Sequence, residues 1–241
     1  MIRIINADVI DGLRSLPEKS VHCVVTSPPY WGLRDYGIEG QIGLEPTPEE
    51  YLEKMVKVFR EVKRVLRDDG TLWLNIGDSY ANAQPRGRME DQGDLSTGDH
   101  GELIPKRDWS CWNLKQKDLV GMCWRVAFAL QSEGWYLRSD IIWAKPNPMP
   151  ESITDRPTRS HEYVFLFAKS ARYFYDADAV REKQDQETRY ANTFRHGKYV
   201  QNCAFSGNIK PPGELLPYKE LDGFFGRNRR DVWTITTQPT P

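Results

Sequence analysis

The chain has 241 residues, 39% of them apolar and 12% aromatic, with 33 Lys and Arg against 34 Asp and Glu. A net charge of −1 excludes a global basic field, so any surface for a polyanion must come from local clustering. The four cysteines, Cys23, Cys111, Cys123 and Cys203, show no Cys-x-x-Cys spacing, which argues against a zinc site and against a disulfide framework; no metal is expected. No segment has the length of a membrane span and the N-terminus lacks a signal-peptide layout, so a cytoplasmic protein with no membrane contact is expected.

In chain order, Ile2–Ile5 reads as a short strand that ends at Asn6-Ala7-Asp8. Val9, Leu13 and Leu16 recur at helical spacing and Pro17 closes that element. Asp8 has two readings: a helix cap, the commoner role, or a carboxylate at a strand's carboxyl edge that accepts from a ligand amine or hydroxyl. The Val-rich run Val21–Thr26 reads as a buried strand of a parallel sheet, stopped by Ser27-Pro28-Pro29-Tyr30-Trp31. Cys23 and Cys123 sit in apolar runs and read as buried thiols.

Neither proline can extend the ladder, so a stiff extended segment leaves the carboxyl edge, where open α/β sheets bind ligands. The Ser27 hydroxyl and the Pro28 carbonyl are both acceptors, and Tyr30 offers a face for a planar ring. Together they suit the exocyclic amine of a nucleobase; the competing reading is a Pro-Pro turn with core aromatics.

The Gly-containing loop from Trp31 to Pro46 follows and is placed to close over the segment. A helix then starts at Thr47 with Pro48 in its first turn and Glu50 as in a capping box, carries the stripe Leu52, Met55, Val56, Phe59, Val62, Val65 and Leu66, and stops at Gly70. Thr71–Ile76 is a strand. Ser79–Asp118 reads as a long polar loop, Lys117–Glu133 as a helix ended by Gly134, and Trp135–Ala144 as a strand stopped by the prolines after Lys145. His161–Lys169 is predicted to return as an antiparallel hairpin with Tyr173-Phe174-Tyr175. Residues 181–230 carry ten Lys or Arg against six Asp or Glu, interleaved with Tyr190, Phe194, Tyr199, Phe205, Tyr218, Phe224 and Phe225. That pattern suits either a DNA-contacting insert or a solvated irregular segment.

The string Thr26-Ser27-Pro28-Pro29-Tyr30-Trp31 resembles the catalytic motif of the β-class DNA amino-methyltransferases. So do Asn6-Ala7-Asp8, the stretch from Arg64 to Leu72, Ile141–Asn147 and Ser160–Phe165. The resemblance implies an α/β, Rossmann-like methyltransferase sheet, mostly parallel with an antiparallel hairpin, plus an irregular DNA-recognition insert. It divides the chain into a catalytic core at 1–178, a target-recognition region at 179–230 and a strand returning to the core at 231–241. It implies Ser27, Pro28, Pro29 and Tyr30 as the catalytic set. S-adenosylmethionine would lie against Asn6, Ala7, Asp8, Thr26 and Ser27, and DNA against Lys145, Asn147, Arg227, Arg229 and Arg230.

The implied reaction is transfer of a methyl group to a flipped base in double-stranded DNA. Serine at position 27 favours N4 of cytosine, with N6 of adenine second. No Pro-Cys pair is present, which sets aside methylation at carbon 5. The family's Phe-x-Gly-x-Gly cofactor loop is not found, so the chain is expected to be truncated before it and to bind cofactor more weakly than a longer chain. A fragment that only binds DNA is the rival reading. A homodimer and a cognate restriction endonuclease remain open as partners.

Overall fold

The computed structural model describes residues 2–81, 112–182 and 227–237. Its elements are α1 (Val9–Arg14), β1 (Val21–Thr26), α2 (Pro48–Val65), β2 (Leu66–Ile76), α3 (Met122–Ser132), β3 (Tyr136–Ala144), β4 (His161–Ala168) and β5 (Val232–Thr234). Most of the expected Ser79–Asp118 loop lies outside the described residues, as do all seven aromatics of the basic stretch. The chain separates into two compact units, Met1–Phe174 with Asp231–Pro241, and Tyr175–Arg230.

The five strands among the described residues belong to the first unit and form one sheet in the order β1-β2-β4-β3-β5. β1 runs parallel to β2 and β3 parallel to β5, while β4 is antiparallel to both β2 and β3. Four strands therefore point one way and β4 alone points back. The expected antiparallel pair exists, but β4 makes it with β3 and β2. Residues 173–175 form no strand; the Phe174 N–H bonds instead to the Asp69 carbonyl at 3.0 Å.

α2 forms where its caps and apolar stripe dictate. The Thr47 hydroxyl accepts from the N–H of Glu50 at 3.3 Å, and Pro48 occupies the first turn, where no N–H is needed. Tyr51, Met55, Phe59 and Val62 face the sheet and meet Met122, Cys123, Val126 and Leu130 of α3 over Leu72, Leu74, Ile76, Phe165 and Phe167. The helix ends at Val65, earlier than Gly70, because Leu66 turns directly to extended geometry and opens β2. Gly70 lies within β2, where a Cβ would stand 3.0 Å from the His22 carbonyl oxygen; close approach of β1 requires glycine there. α3 starts at Met122 rather than Lys117. Residues 117–120 bond instead to 79–81, with Val120 N–H on the Ser79 carbonyl at 2.9 Å and Ala81 N–H on the Asp118 carbonyl at 2.8 Å.

Three further expectations fail. Ile2–Ile5 is not a strand among the described residues; Ile2 and Ile4 are 93% and 88% exposed. β1 is not a buried central strand but the edge of the described sheet, paired only with β2. Its pairing places Val24 and Thr26 beside Leu72 and Leu74 on the core face, and Cys23 and Val25 on the opposite face. There Val25 is 79% exposed and Cys23 is an exposed thiol, whereas Cys123 is buried as expected.

Phe59 is fully enclosed by helix and sheet, so Phe59→Ala should destabilise the chain by about 3–5 kcal/mol through lost transfer energy and the cavity left behind. Val25→Thr, on the exposed face, should stay within about 0.5 kcal/mol. Urea unfolding of both variants checks the assignment of the two faces.

Candidate active site

Strand direction brings the site together. β1, β2 and β3 all deliver their carboxyl ends to one edge of the sheet, and the reversed β4 delivers its amino end there. Ser27–Tyr30 leave β1, Asn75 and Gly77 stand at the end of β2, Lys145 follows β3, and Glu162 opens β4.

The extended segment after β1 is clamped from behind. Trp31 is buried and its indole N–H donates to the Glu45 carbonyl at 2.9 Å. The Glu45 carboxylate accepts from the N–H of Gly43 at 2.8 Å and pairs with Lys54 of α2 at 2.9 Å. Gly43 has φ +106°, and a Cβ there would lie 3.0 Å from the Tyr30 carbonyl oxygen, so the loop can close on the segment only through glycine. The Tyr51 hydroxyl, pushed up in pKa chiefly by burial, donates to the Pro29 carbonyl at 3.0 Å. Of the two proline carbonyls, Pro29's is thus occupied from within, and Pro28's has no partner among the described residues.

Tyr30 is held at both ends. Its ring lies against Gly77, where a Cβ would stand 2.5 Å from Cε2 and 2.6 Å from Cδ2. Its hydroxyl bonds to Asn75 Oδ1 at 2.8 Å and Glu162 Oε2 at 3.1 Å, and receives the Ser27 hydroxyl at 3.1 Å. The Asn75 amide donates to Glu162 Oε2 at 3.1 Å and to the Tyr163 carbonyl at 3.0 Å. Burial, aided by the Glu162 charge, raises the Tyr30 hydroxyl to about 12 despite the opposing Ser27 bond.

Burial alone would raise the Glu162 carboxyl, but the hydrogen bond and charge of Lys145, with the bonds from Asn75 and Tyr30, outweigh it and hold the group below its ordinary range. Lys145, an expected DNA contact, therefore turns its ammonium to Glu162 and lies 4.6 Å from the centre of the Trp143 ring. Arg159 also acts electrostatically on Tyr30 and Cys123, and its buried Nη1 has no hydrogen-bond partner among the described residues.

Of the other expected site residues, Asn6, Ala7 and Asp8 are exposed, and Asp8 caps α1 by accepting from the N–H of Ile10 at 2.9 Å. Thr26 ends β1 with its side chain half-buried. The Asn147 amide is engaged by Thr237, accepting from its N–H at 3.1 Å and donating to its carbonyl at 2.8 Å. In the second unit, Arg227, Arg230 and Arg229 surround the carboxylate of Glu182 at 2.8, 2.9 and 3.8 Å. The Cys123 thiol, raised to about 12 by burial and by Asp78, is kept protonated and inert.

Sequence reasoning assigned no role to Asn75, Gly77, Arg159 or Glu162. One signal was available: Asn75 interrupts the apolar run Leu72-Trp73-Leu74-Asn75-Ile76, and a polar residue near a strand's carboxyl end belongs to the binding edge.

Residues 21–237 match the DNA methylase family. A type II methyltransferase of Serratia marcescens, M.SmaI, is 50% identical over 239 residues, covering 99% of this chain and 68% of its own. M.XycI of Xanthomonas campestris pv. cyanopsidis, also a type II methyltransferase, is 48% identical over 232 residues, covering 96% of this chain. The chain spans 63% of the length of that relative. Among solved structures, the PvuII DNA methyltransferase (cytosine-N4-specific) aligns at TM-score 0.49 and 17% identity, covering 93% of this chain and 69% of its own.

Gly77→Ala should unseat the Tyr30 ring, seen as loss of its near-ultraviolet dichroism with the far-ultraviolet spectrum retained. Because Glu162 has a depressed folded pKa, its contribution to stability is complete above the ordinary carboxylate range and is lost as pH falls through the lower folded value. Lys145 and Arg159 are the cations facing this network. As pH drops below the ordinary carboxylate range of about 4, the urea midpoint should therefore fall more steeply in the wild type than in Glu162→Gln.

Proposed function

Since this chain belongs to the DNA methylase family, we propose that it transfers a methyl group to the exocyclic N4 of cytosine in double-stranded DNA, acting on a base turned out of the helix. The observation that carries this reading is the set Ser27, Pro28 and Tyr30, fixed at the sheet edge by Asn75 and Glu162.

An exocyclic amine presents two N–H bonds in the plane of its ring, and its lone pair is delocalised into that ring. On this reading Ser27 Oγ and the Pro28 carbonyl accept the two N–H bonds and hold the nitrogen toward the methyl donor, while the Tyr30 ring stacks on the base. Two acceptors also stabilise the positive charge that grows on nitrogen as the new bond forms. No strong base is needed, because the N–H becomes acidic only as the methyl arrives. A cysteine nucleophile is not called for, and Cys123 is kept protonated.

S-adenosylmethionine supplies, when bound, a methyl made electrophilic by its positive sulfur. The residues at hand fit part of it: Asp8 engages only Oδ1 in capping α1, which leaves Oδ2 for a ribose hydroxyl. Thr26 and Ser27 stand at the carboxyl end of β1. Arg159, which acts electrostatically on Tyr30, keeps an N–H donor with no partner among the described residues, and cytosine carries acceptors at N3 and O2 beside its N4 amine. Serine at position 27 supports cytosine over adenine. Arg227, Arg229 and Arg230 are assigned to the DNA backbone on the ten Lys or Arg against six Asp or Glu of residues 181–230, and a cognate restriction endonuclease reading the same site is the expected companion.

The test is to incubate the 241-residue chain with tritiated S-adenosylmethionine and duplex DNA, then separate the labelled nucleosides. N4-methylcytosine is expected; N6-methyladenine would reassign the substrate, and no label would overturn the activity. Tyr30→Ala should lower transfer by about 100-fold or more, the scale of losing base positioning.

A further inference from the structure

The hydrogen bonds around Tyr30 have only one consistent direction. Asn75 Nδ2 faces two groups that can only accept, the Tyr163 carbonyl and the Glu162 carboxylate, which fixes the amide so that Oδ1 faces Tyr30. The Tyr30 hydroxyl therefore meets two acceptor-only atoms, Asn75 Oδ1 and Glu162 Oε2, and its single hydrogen must go to them. Its oxygen is left to accept. The Ser27 hydroxyl, 3.1 Å away, must then donate to Tyr30.

We propose that Glu162, acting through Tyr30, is a positioning residue that fixes the direction of the Ser27 hydroxyl proton, so that Ser27 faces the target amine only as an acceptor. This rests on the reading of Ser27 as the residue that holds that amine. The direction matters because a hydroxyl left to rotate can donate to the amine nitrogen. That bond would occupy the lone pair that has to attack the methyl group. A carboxylate at the head of the chain prevents this, since it cannot donate. The Lys145 ammonium keeps it ionised and so keeps the whole chain pointing one way. Tyr30 then has two separable parts: a ring that meets the base and a hydroxyl that orders Ser27.

Glu162→Gln tests the assignment. Lys145 should retain the side-chain oxygen, which turns the new NH2 toward Tyr30 and competes with the Ser27 proton for the Tyr30 oxygen. The first readout needs no substrate. In chain labelled with carbon-13 at tyrosine Cζ, Tyr30 should titrate near pH 12 in the wild type and at least tenfold more readily, in terms of its ionisation constant, in Glu162→Gln. An unmoved titration overturns the proposal. The second readout is transfer kinetics. Glu162→Gln and Tyr30→Phe should each lower kcat about tenfold with KM for DNA within about twofold. In a Ser27→Ala background, where there is no hydroxyl proton to direct, Glu162→Gln should cost nothing further. An equal loss in both backgrounds would mean Glu162 acts by general structural support, and the proposal fails. If the wild-type chain transfers no methyl group, the reading of the site as a methyltransferase fails, while the tyrosine titration still tests whether Glu162 acts on the Tyr30 hydroxyl.

Discussion

Glu162 is a half-buried carboxylate, and a charge so placed is tolerable only if it is paired and its lone pairs are filled. Lys145 meets one oxygen, and Tyr30 with Asn75 meets the other. These partners come from three different strand ends, so the pairing requirement of one side chain constrains the register of much of the sheet edge. The requirement can be met because β4 runs against its neighbours. A fifth parallel strand would have placed its first residues at the opposite edge, some 25 Å from Ser27 at about 3.3 Å per residue over eight residues. Reversal of one strand is thus what allows a carboxylate to sit behind the Ser-Pro-Pro-Tyr segment.

The same segment depends on what its prolines lack. Pro28 and Pro29 bring carbonyls without N–H groups, so they add acceptors to the edge and no donors that would have to be satisfied. The fold occupies one of these carbonyls, through Tyr51, and the other has no partner among the described residues. Gly43 and Gly77 allow the loop and strand to approach Tyr30 more closely than any side chain would permit. Rigidity here comes from many short contacts on the protein side, and the side toward the ligand is left with unused acceptors. Such preorganisation suits a reaction in which positive charge develops on a nitrogen.

What was legible in the sequence follows from how local the physics is. α2 could be read because Thr47, Pro48 and the apolar stripe act within a few residues of one another. The stop at Ser27-Pro28-Pro29 could be read because proline's effect is covalent. The burial of β1 could not, because its Val-rich run is compatible with a centre or an edge, and which one it occupies depends on strands far along the chain. The partner of Lys145 could not be read for a similar reason. A lysine after a proline-bounded strand looks like a surface cation until β4 returns and sets Glu162 against it. Asp8 shows the converse: both of its readings were local, and the helix cap is the one whose hydrogen bond is formed.

The placement of charge also explains why the site favours one kind of chemistry. Cys123 lies close enough to Asp78 to feel its carboxylate, and burial and that charge together keep its thiol protonated. Tyr30, with a hydroxyl raised to about 12, is likewise not a base at neutral pH. Glu162 is ionised, but its oxygens are filled by Lys145, Asn75 and Tyr30, so it is poorly placed to take a proton from a ligand. The edge therefore has neither a ready nucleophile nor a free general base among these groups. It has oriented acceptors: the Pro28 carbonyl and, on the hydrogen-bond direction argued above, the lone pairs of Ser27. A neutral amine attacking a strongly electrophilic methyl group needs its N–H bonds held and its lone pair left clear. A carbon nucleophile would need a thiolate to activate its ring, and this arrangement suppresses one.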